Sequence, residues 1–531
     1  MPRRPPTLAD LLADLGARLP EGARAHLRDA APSQALPRLI DDSRRVDGGD
    51  AFVAIPGATH DGHRFLPQAR AAGAGLLVVD EAHFSAAVEA DPDLAHTPRL
   101  VLRGLGEHLP VLAAAWHGWP GEALSLAGIT GTNGKTTTAH LLGAIASHPR
   151  GGRPHLRLGT TGNWLVDREV HAGFTTPFPV ELQALLAEAH DRGARCGVME
   201  VSSHALAQGR AKPLRYRAVA LTSFSQDHLD FHPDMAAYLE AKCELARRHL
   251  HVDGLAVAPL EQGRASEAFL AAAEAAGVER RWRTARSAAG AGAKAQLRVE
   301  AQLPLQPGEG TAVRVATPAG ALDLRSPLVG AFNLDNLMVT VALALGLDFG
   351  LDTIADALRA ATGAPGRLEA VALPGVAGPA VYVDYAHTPD AVARSLEALE
   401  HARRARGGRT VVVLGCGGDR DPSKRPLMGE VASRGAQRFW ATSDNPRTED
   451  PASIVDQMIA GALGPDAGGA ELVREVDRAR AIASAIAEAA AEDVVLIAGK
   501  GHEDYQVIGE TKIHFDDREH ALAALRARAD A

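Results

Sequence analysis

Short apolar segments alternate with longer amphipathic segments along most of the chain. In the first part, residues 51–55 and 75–79 have the composition of buried strands, and residues 66–72 predict a helix, whereas residues 80–100 carry few strong signals. A small antiparallel patch is predicted within residues 297–324. Further strands are predicted over residues 198–201, 218–222, 380–384, 410–415, 438–442 and 493–498, and helices over residues 179–192, 235–250, 334–347, 351–361 and 391–404. Short apolar strands separated by helices predict parallel sheets covered on both faces, so the expected fold class is α/β.

The chain length and the positions of segments rich in proline and glycine indicate how the chain is divided into domains. A chain of 531 residues is too long for one core and suggests about three domains. Pro120-Gly121 is a plausible boundary, and Thr362-Gly363-Ala364-Pro365-Gly366 is the next break. We therefore predict domains over residues 1–121, 122–361 and 362–531.

Composition argues against several classes of protein. The net charge of −9 does not favour binding of nucleic acid or of an acidic membrane. Cys196, Cys243 and Cys416 are scattered and odd in number, which argues against a disulfide framework or zinc site and fits a reducing cytoplasm. No apolar run approaches the ~20 residues of a membrane span, and the N-terminus lacks the apolar region of a signal peptide. We expect a cytoplasmic protein with no membrane insertion.

The most informative motif is Gly-Ile-Thr-Gly-Thr-Asn-Gly-Lys-Thr at residues 128–136, between an apolar run and a predicted helix. Small residues let backbone N–H groups close on a phosphate, and the helix N-terminus adds a favourable field. Lys135 is expected to reach the β/γ-phosphates, and the Thr136 hydroxyl to face Mg²⁺. The strict P-loop pattern has glycine at position 129, where this chain has Ile129. The order of strand, turn and helix still favours a phosphate loop over an incidental glycine-rich turn.

Other polar residues follow predicted strands, where open α/β sheets bind ligands. Glu200 ends one strand, and a carboxylate there suits Mg²⁺ beside Thr136. Asp227-His228 follows the next strand; alone it is a weak signal, as is Lys242 in a predicted helix. Four loops of the last domain begin at Asp384, Gly415, Asp444 and Gly499, and they suggest a shared ligand edge.

These residues resemble the Mur ligases of peptidoglycan synthesis along almost the whole chain. The matching elements are Asp42-Ser43-Arg44, residues 128–138, Thr175-Thr176-Pro177, residues 199–206, residues 227–230, Phe332-Asn333 with Asn336, Pro365-Gly366-Arg367 and the four C-terminal loops. The resemblance implies an N-terminal α/β UDP-binding domain, a central P-loop ATPase domain with a parallel sheet, and a C-terminal Rossmann-like domain. It also implies a monomer acting on small molecules.

The resemblance further implies roles for individual residues. Catalytic positions match Lys135, Glu200, His228 and Lys242, with Lys242 carbamylated and Thr136, Glu200, His228 and Lys242 around Mg²⁺. ATP positions match Gly131, Thr132, Asn133, Gly134, Lys135, Thr136, Thr137, Asn333, Asn336, Arg367, Asp384 and His387. Positions for a UDP-muramoyl dipeptide match Ser43, Thr175, Thr176, Ser202, Gln208 and Arg210, and those for diaminopimelate match Arg420, Asp444, Asn445, Pro446, Arg447, Gly499 and Glu503.

The implied activity is an ATP-dependent ligase that adds meso-2,6-diaminopimelate to UDP-N-acetylmuramoyl-L-alanyl-D-glutamate through an acyl phosphate. A folylpolyglutamate synthase-type ligase is the first alternative, against which Asp42-Ser43-Arg44 and the long N-terminal domain count. A nucleotide-binding switch protein without ligase turnover is the second. The chain departs from the family pattern at residues 221–226, where Gln226 replaces arginine, at Phe178, where many relatives have aspartate, and at Pro422-Ser423.

Overall fold

The structure is a computed structural model that describes residues 6–57, 61–287, 295–305, 309–373 and 376–530. Within these ranges the chain forms two compact units. The first comprises residues 1–135, 145–283 and 342–353, and the second comprises residues 136–144, 284–341 and 354–531. Across the described residues, no helix has both the length and the apolar character needed to cross a membrane.

The N-terminal part of the first unit is a five-stranded sheet with helices. Its strand order is Ala25–Arg28, Arg99–Leu102, Leu76–Asp80, Ala51–Val53 and Leu39–Ile40. The first pair is antiparallel and the others are parallel. The accompanying α-helices are Leu8–Arg18, Leu66–Ala71, Glu81–Ala90 and Leu105–Trp116. The predicted strands and the predicted helix of this region are therefore confirmed.

Residues 80–100 are more regular than their sequence suggested. They contain helix Glu81–Ala90 and the start of strand Arg99–Leu102. The helix begins where the Asp80 side chain accepts a hydrogen bond from the Ala82 N–H, a cap that stabilises the helix start. Its apolar face is short, because among its described side chains only Phe84, Ala87 and Val88 pack against the core and they are partly buried, and the sequence pattern alone did not reveal it.

A second sheet follows in the first unit. Eight neighbouring strands of this sheet follow the order Arg280–Ala285, Leu250–Pro259, Tyr216–Leu221, Ser125–Thr130, Cys196–Glu200, His155–Leu158, Asn163–Leu165 and Arg168–Val170. Tyr216–Leu221, Ser125–Thr130 and Cys196–Glu200 are neighbouring parallel strands, so the loops after them meet at one edge. The helices of this region include Pro179–Asp191, Ser203–Ala207, Met235–Arg248 and Arg264–Ala275.

The second unit contains the predicted antiparallel patch. Leu297–Gln302, Thr311–Thr317 and Gly320–Ser326 pair in succession as antiparallel strands. Helices Ala331–Gly346 and Leu351–Ala360 follow, as predicted, and each has residues in both units.

The C-terminal sheet of the second unit has the strand order Glu369–Val371, Ala380–Asp384, Val494–Ala498, Thr410–Cys416, Arg438–Ser443 and Glu471–Arg474. All pairs are parallel except the first. Val412 and Leu414 pack into one core and Val411 and Val413 into another, so both faces of the sheet are covered. The helices are Pro389–Arg406, Lys424–Gly435, Pro451–Ala462, Arg478–Glu488 and Asp517–Ala529, and a hairpin joins Tyr505–Ile508 to Thr511–His514. The parallel sheet predicted from the apolar runs is confirmed.

Candidate active site

The predicted phosphate loop has the expected strand, turn and helix. Strand Ser125–Thr130 is almost entirely buried, and helix Lys135–Ala146 begins directly after Gly134. Gly131 has a φ of 147°, and a Cβ there would lie 2.0 Å from the Thr222 hydroxyl oxygen. Only glycine therefore fits at this turn, and the bare backbone is what a phosphate cradle needs.

Two hydroxyl residues directly after the neighbouring strand Tyr216–Leu221 hold this loop. The Thr222 hydroxyl donates to the Asn133 carbonyl over 2.6 Å. The Ser223 hydroxyl lies 3.0 Å from the same carbonyl and accepts from the Asn133 N–H over 2.9 Å. Both residues belong to the segment that departs from the family pattern, and sequence reasoning gave them no role. Their place at the end of a strand parallel to the loop's own strand was the available signal.

Lys135 lies back over the loop that it follows. Its Nζ donates to the carbonyls of Gly131 and Thr132 over 2.7 and 2.9 Å. Thr136 and Thr137, the next two residues of the helix, are buried. The lysine ammonium is therefore held at the turn, where its positive charge can offset the negative charge of a bound phosphate.

Lys242 is buried, contrary to the ordinary expectation for a helical lysine. It lies on helix Met235–Arg248 with 1% of its surface exposed, and its Nζ is 4.2 Å from the centre of the Tyr238 ring. Burial, followed by the positive charge of Lys135, holds the pKa of Lys242 well below its ordinary value. A lowered pKa increases the neutral fraction of the amine, and the neutral amine is the form that reacts with CO₂.

Tyr238 connects this lysine to the phosphate loop, because its hydroxyl lies 3.2 Å from the Thr132 hydroxyl. His228 lies nearby, with its ring centre 5.9 Å from that of Tyr238. Burial, opposed by Asp227 and reinforced by His204, Lys135 and Lys242, lowers the pKa of His228 to about 4. A neutral imidazole keeps a lone pair with which to bind a cation. The structure thus brings Lys135, His228 and Lys242 within electrostatic reach of one another.

His204 packs edge-on against His228 with ring centres 4.8 Å apart, and it also contacts Phe231. Sequence reasoning placed His204 in a matching segment but gave it no role. Its ring limits how the His228 imidazole can turn.

Glu200 is buried at the end of its strand with 1% of its surface exposed. One carboxylate oxygen accepts from the Thr160 N–H over 2.9 Å, and the other from the Thr160 hydroxyl over 3.2 Å. That hydroxyl lies 3.0 Å from the Thr175 hydroxyl. A buried, oriented carboxylate suits a hard cation, and Thr160 is a further site residue that the sequence did not identify.

Arg210 organises most of the residues predicted to bind the UDP-muramoyl dipeptide. Its guanidinium donates to the Gln208 side chain over 2.8 Å and to the Thr176 carbonyl over 3.0 Å. The Thr176 hydroxyl in turn accepts from the Ser202 N–H over 3.1 Å. Phe178, noted as a departure from the family pattern, lies under the Arg210 guanidinium at 3.7 Å. The Phe178 ring thus stabilises the Arg210 guanidinium by a cation–π contact, where the aspartate of many relatives could do so by an ion pair.

Ser43 belongs to the N-terminal sheet region, and its hydroxyl donates to the Gln68 side chain over 3.0 Å. Its neighbours Asp41 and Arg45 act electrostatically on Glu181, near the start of the helix that follows Thr176. Ser43 therefore lies on the side of its region that is close to the other predicted substrate residues.

The predicted nucleotide residues of the second unit form two small groups. The Asn336 side chain donates to that of Asn333 over 3.3 Å. The Arg367 guanidinium lies 4.5 Å from the centre of the Tyr385 ring, which packs against His387. Burial raises the pKa of the neighbouring Asp384, and Arg367 opposes that effect.

Gly366, just before Arg367, shows why this motif needs glycine. A Cβ on Gly366 would lie 2.1 Å from the backbone carbonyl carbon of Gly501. The close approach places Arg367 next to the loop that begins at Gly499.

Parallel strands bring the Asp444, Gly415 and Gly499 loops together, as predicted. The Arg447 guanidinium donates to the Gly418 carbonyl over 2.6 Å, and Arg447 has a left-handed φ of 52°. The Asn445 side chain donates to Glu503 over 2.9 Å. Gly499 packs so closely that a Cβ would lie 2.7 Å from an Asp444 carboxylate oxygen. Arg420, in the loop that begins at Gly415, is exposed. Gly418 of the same loop packs against the Asp444 loop, since a Cβ on Gly418 would lie 1.9 Å from the Pro446 carbonyl oxygen.

Lys500 and Gln506 also hold these loops, although sequence reasoning did not select them. Lys500 is fully buried and lies 3.6 Å from Asp444 and 3.4 Å from Glu503. Burial, followed by Asp444, raises the pKa of Glu503, and Lys500 opposes them. The Gln506 side chain donates to the Asp444 carbonyl over 2.6 Å. The hairpin that contains Gln506 is thus part of the site's frame.

A buried ion pair fixes the strand ends beneath the same loops. Arg478 pairs with Asp517 over 2.6 Å, and both side chains are fully buried. The same guanidinium donates to the carbonyls of Ser443 and Ala498, the residues just before Asp444 and Gly499. Removing Arg478 would therefore loosen two loops together.

Asp61, His63 and His83 form a cluster that could in principle hold a metal ion. However, His63 Nε2 accepts from the Asp80 N–H over 3.0 Å, so the ring proton is on Nδ1, which faces Asp61 over 2.7 Å. Both ring nitrogens are thereby committed, and the cluster is better explained as a hydrogen-bond network.

Three family models cover most of the chain. The Mur ligase family catalytic domain matches residues 41–116, the Mur ligase middle domain residues 129–344, and the Mur ligase glutamate ligase domain residues 366–501. The chain belongs to the Mur ligase family.

Similar proteins within this family share one activity in their names. The UDP-N-acetylmuramoyl-L-alanyl-D-glutamate–2,6-diaminopimelate ligase of Parasynechococcus marenigrum is 43% identical over 98% of this chain and 99% of its own length. That of Gloeobacter violaceus is 42% identical over 94% of this chain and 95% of its own length. A solved structure of a ligase with this name is 30% identical, covers 99% of both chains and has a TM-score of 0.64. Folylpolyglutamate synthase of Mycobacterium tuberculosis, complexed with ADP and AMPPCP, shares the fold at 19% identity over 74% of this chain and 92% of its own, with a TM-score of 0.55.

Proposed function

We propose that this chain is the ATP-dependent ligase that joins meso-2,6-diaminopimelate to UDP-N-acetylmuramoyl-L-alanyl-D-glutamate in peptidoglycan precursor synthesis. The observation that carries the proposal is the group formed by Lys135, His228 and the buried Lys242 beside the phosphate loop, in a chain similar to such ligases over nearly its whole length. A nucleotide-binding switch would not need a buried lysine of this kind. The substrates are small molecules, and action as a cytoplasmic monomer stays a prediction.

The reaction needs an activated carboxylate, because a carboxylate oxygen is a poor leaving group. The D-glutamate γ-carboxylate attacks the γ-phosphorus of ATP, which forms an acyl phosphate and releases ADP. The neutral amine of diaminopimelate then attacks the acyl carbon, an amide bond forms as the nitrogen loses a proton to solvent, and phosphate leaves with the former C–O bond electrons. Lys135 offsets charge on the transferring phosphoryl group, and Glu200, His228 and Thr136 are the groups that would hold Mg²⁺ there. When bound, Mg²⁺ supplies further positive charge at the phosphates.

Lys242 fits this cation only after modification, since an ammonium repels Mg²⁺. We propose that its neutral amine attacks CO₂, a C–N bond forms, and the proton lost from nitrogen passes to solvent. The product is a carbamate anion, a ligand that a hard cation prefers. Its burial and its position over the Tyr238 ring support the proposal.

Selection of diaminopimelate over L-lysine is assigned to Arg447. The two amino acids differ by one carboxylate at the end of the side chain. A guanidinium binds a carboxylate through two parallel hydrogen bonds, and it would repel the ammonium of lysine. The bond from Arg447 to the Gly418 carbonyl and the neighbouring Asn445–Glu503 pair support this assignment.

Phosphate release tests the proposed function. It should require ATP, the UDP-muramoyl dipeptide and diaminopimelate together, and mass spectrometry should detect the tripeptide product. Replacing the dipeptide and diaminopimelate by a folate and glutamate tests the alternative ligase. Phosphate release with ATP alone would contradict the proposal, and equal rates with L-lysine would contradict the assigned specificity.

A further inference from the structure

Arg210 is a buried cation that has no carboxylate partner in the part of the chain that the structure describes. It has 9% of its surface exposed, and its hydrogen bonds go to the neutral Gln208 side chain and to the Thr176 carbonyl. A guanidinium has more N–H donors than these two bonds use. A desolvated cation is costly unless an anion meets it, so the surroundings of Arg210 indicate an anionic ligand.

Two aromatic side chains cover one side of this guanidinium. The ring centre of Phe178 lies 3.7 Å from it, and that of Phe174 lies 5.6 Å from it. The two rings meet edge-on with their centres 4.9 Å apart, and both remain partly open to solvent. Cation–π contacts of this kind stabilise a guanidinium but add no negative charge that would neutralise it.

Phe178 occupies the position at which helix Pro179–Asp191 begins. Aspartate, asparagine and serine are preferred at such a position, because their side chains accept a hydrogen bond from a backbone N–H of the first turn. Phe178 makes no capping bond of this kind. Helix stability therefore does not explain an aromatic residue here, whereas the contact with the Arg210 guanidinium does.

The Arg210 guanidinium lies toward the predicted reacting centre. Burial is the main cause of the lowered pKa of His204, and the charge of Arg210 acts in the same direction, so the two side chains are within electrostatic reach. His204 in turn packs against His228, one of the residues assigned to Mg²⁺. The anion that meets Arg210 therefore belongs to the reacting end of the substrate, the D-glutamyl residue, rather than to its uridine diphosphate.

We propose that Phe178 is a positioning residue of the dipeptide site, whose uncharged ring holds the Arg210 guanidinium so that its full charge is available to a carboxylate of the D-glutamyl residue. The contact of Arg210 with the dipeptide belongs to the proposed function, on which this inference rests, and the role of Phe178 goes beyond it. Phe178→Asp would place a carboxylate beside the guanidinium, where it competes with the substrate carboxylate. Phe178→Asn introduces a side chain of nearly the same shape without the charge.

Calorimetric titration of the full-length protein with UDP-N-acetylmuramoyl-L-alanyl-D-glutamate tests this role. Phe178→Asp should bind this dipeptide at least about tenfold more weakly than Phe178→Asn, a ratio equivalent to about 1.4 kcal/mol. The matched ligand is UDP-N-acetylmuramoyl-L-alaninamide, which keeps the uridine diphosphate but has no peptide carboxylate. The two variants should bind it with affinities within about twofold of each other. Phe178→Tyr retains the ring and should bind the dipeptide as the wild type does.

The remaining controls separate charge at this site from added charge in general and from folding. Val252→Asp adds the same charge on an exposed residue of strand Leu250–Pro259 and should bind the dipeptide as the wild type does. Phe178→Glu and Phe178→Gln form a second pair that differs in charge, and they should show the same order of affinities.

Two results would overturn the role of Phe178. One is equal affinity of Phe178→Asp and Phe178→Asn for the dipeptide. The other is an equal loss with the alaninamide ligand, which would assign the charge of Arg210 to the diphosphate. Both can occur while the wild type binds and turns over the dipeptide, so they leave the proposed function standing. Failure of the wild type to bind the dipeptide would instead contradict the proposed function together with this inference.

Discussion

Arg447→Lys is the most direct test of how this ligase recognises its amino acid. The substitution keeps a positive charge but removes the planar guanidinium that can form two parallel bonds to a carboxylate. Arg447 has a φ of 52°, and lysine at the same position carries the same backbone strain as arginine. A difference in KM between the wild type and Arg447→Lys therefore reports the loss of the guanidinium and not a change in backbone strain.

The structure sets the size of the expected effect. A hydrogen bond between charged groups contributes about 1.5–3 kcal/mol, and lysine can retain one of the two to the substrate carboxylate. The lost bond corresponds to a rise of about 10- to 100-fold in the KM for diaminopimelate. Lysine also loses the bond from the Arg447 guanidinium to the Gly418 carbonyl, which steadies the glycine-rich loop. The larger end of the range is therefore expected.

Steady-state phosphate release with each substrate varied in turn is the assay. The KM for diaminopimelate should rise while those for ATP and the UDP-muramoyl dipeptide change less than about twofold, a margin of about 0.4 kcal/mol. Arg474→Lys is a matched control, because Arg474 is ion-paired with Asp456 in the same sheet region. A KM for diaminopimelate unchanged in Arg447→Lys, or a parallel rise for all three substrates, would refute the reasoning.

Further predictions address the phosphate loop, the buried lysine and the buried glutamine Gln183. Lys135→Ala should lower kcat by at least about 10³-fold and leave UDP-substrate binding intact by calorimetry; near-normal turnover would refute the loop assignment. Gly131→Ala should also inactivate the enzyme, because its Cβ would collide with Thr222, and normal kcat would contradict the loop geometry. Lys242→Ala should be nearly inactive and partly rescued by formate or acetate; unmodified Lys242 in an active crystal would count against carbamylation. Gln183→Met should raise the melting temperature, since it removes a buried amide that has no hydrogen-bond partner among the described residues, and a lower melting temperature would contradict that reasoning.

The sequence by itself determined the fold class, most of the elements and the motifs of this ligase. Apolar strands such as residues 410–415 are read directly from composition, because a strand buried on both faces has no polar positions. The phosphate loop was equally clear, since Gly131, Gly134 and Lys135 are local requirements of one short turn. Helix Glu81–Ala90 was missed because its start depends on the Asp80 cap. The predicted domain boundaries stay predictions.

Only the tertiary structure decided what surrounds each motif. Lys242 reads as a surface lysine in a helix, and its burial in the folded protein, followed by the positive charge of Lys135, is what lowers the pKa of its amine. Thr222 and Ser223 acquire a role because their strand lies parallel to the one before the phosphate loop. Gln183 belongs to an ordinary amphipathic helix, and only its burial in the fold leaves its carboxamide without a hydrogen-bond partner among the described residues. Burial and pairing depend on residues far apart in the chain, so local pattern could not supply them.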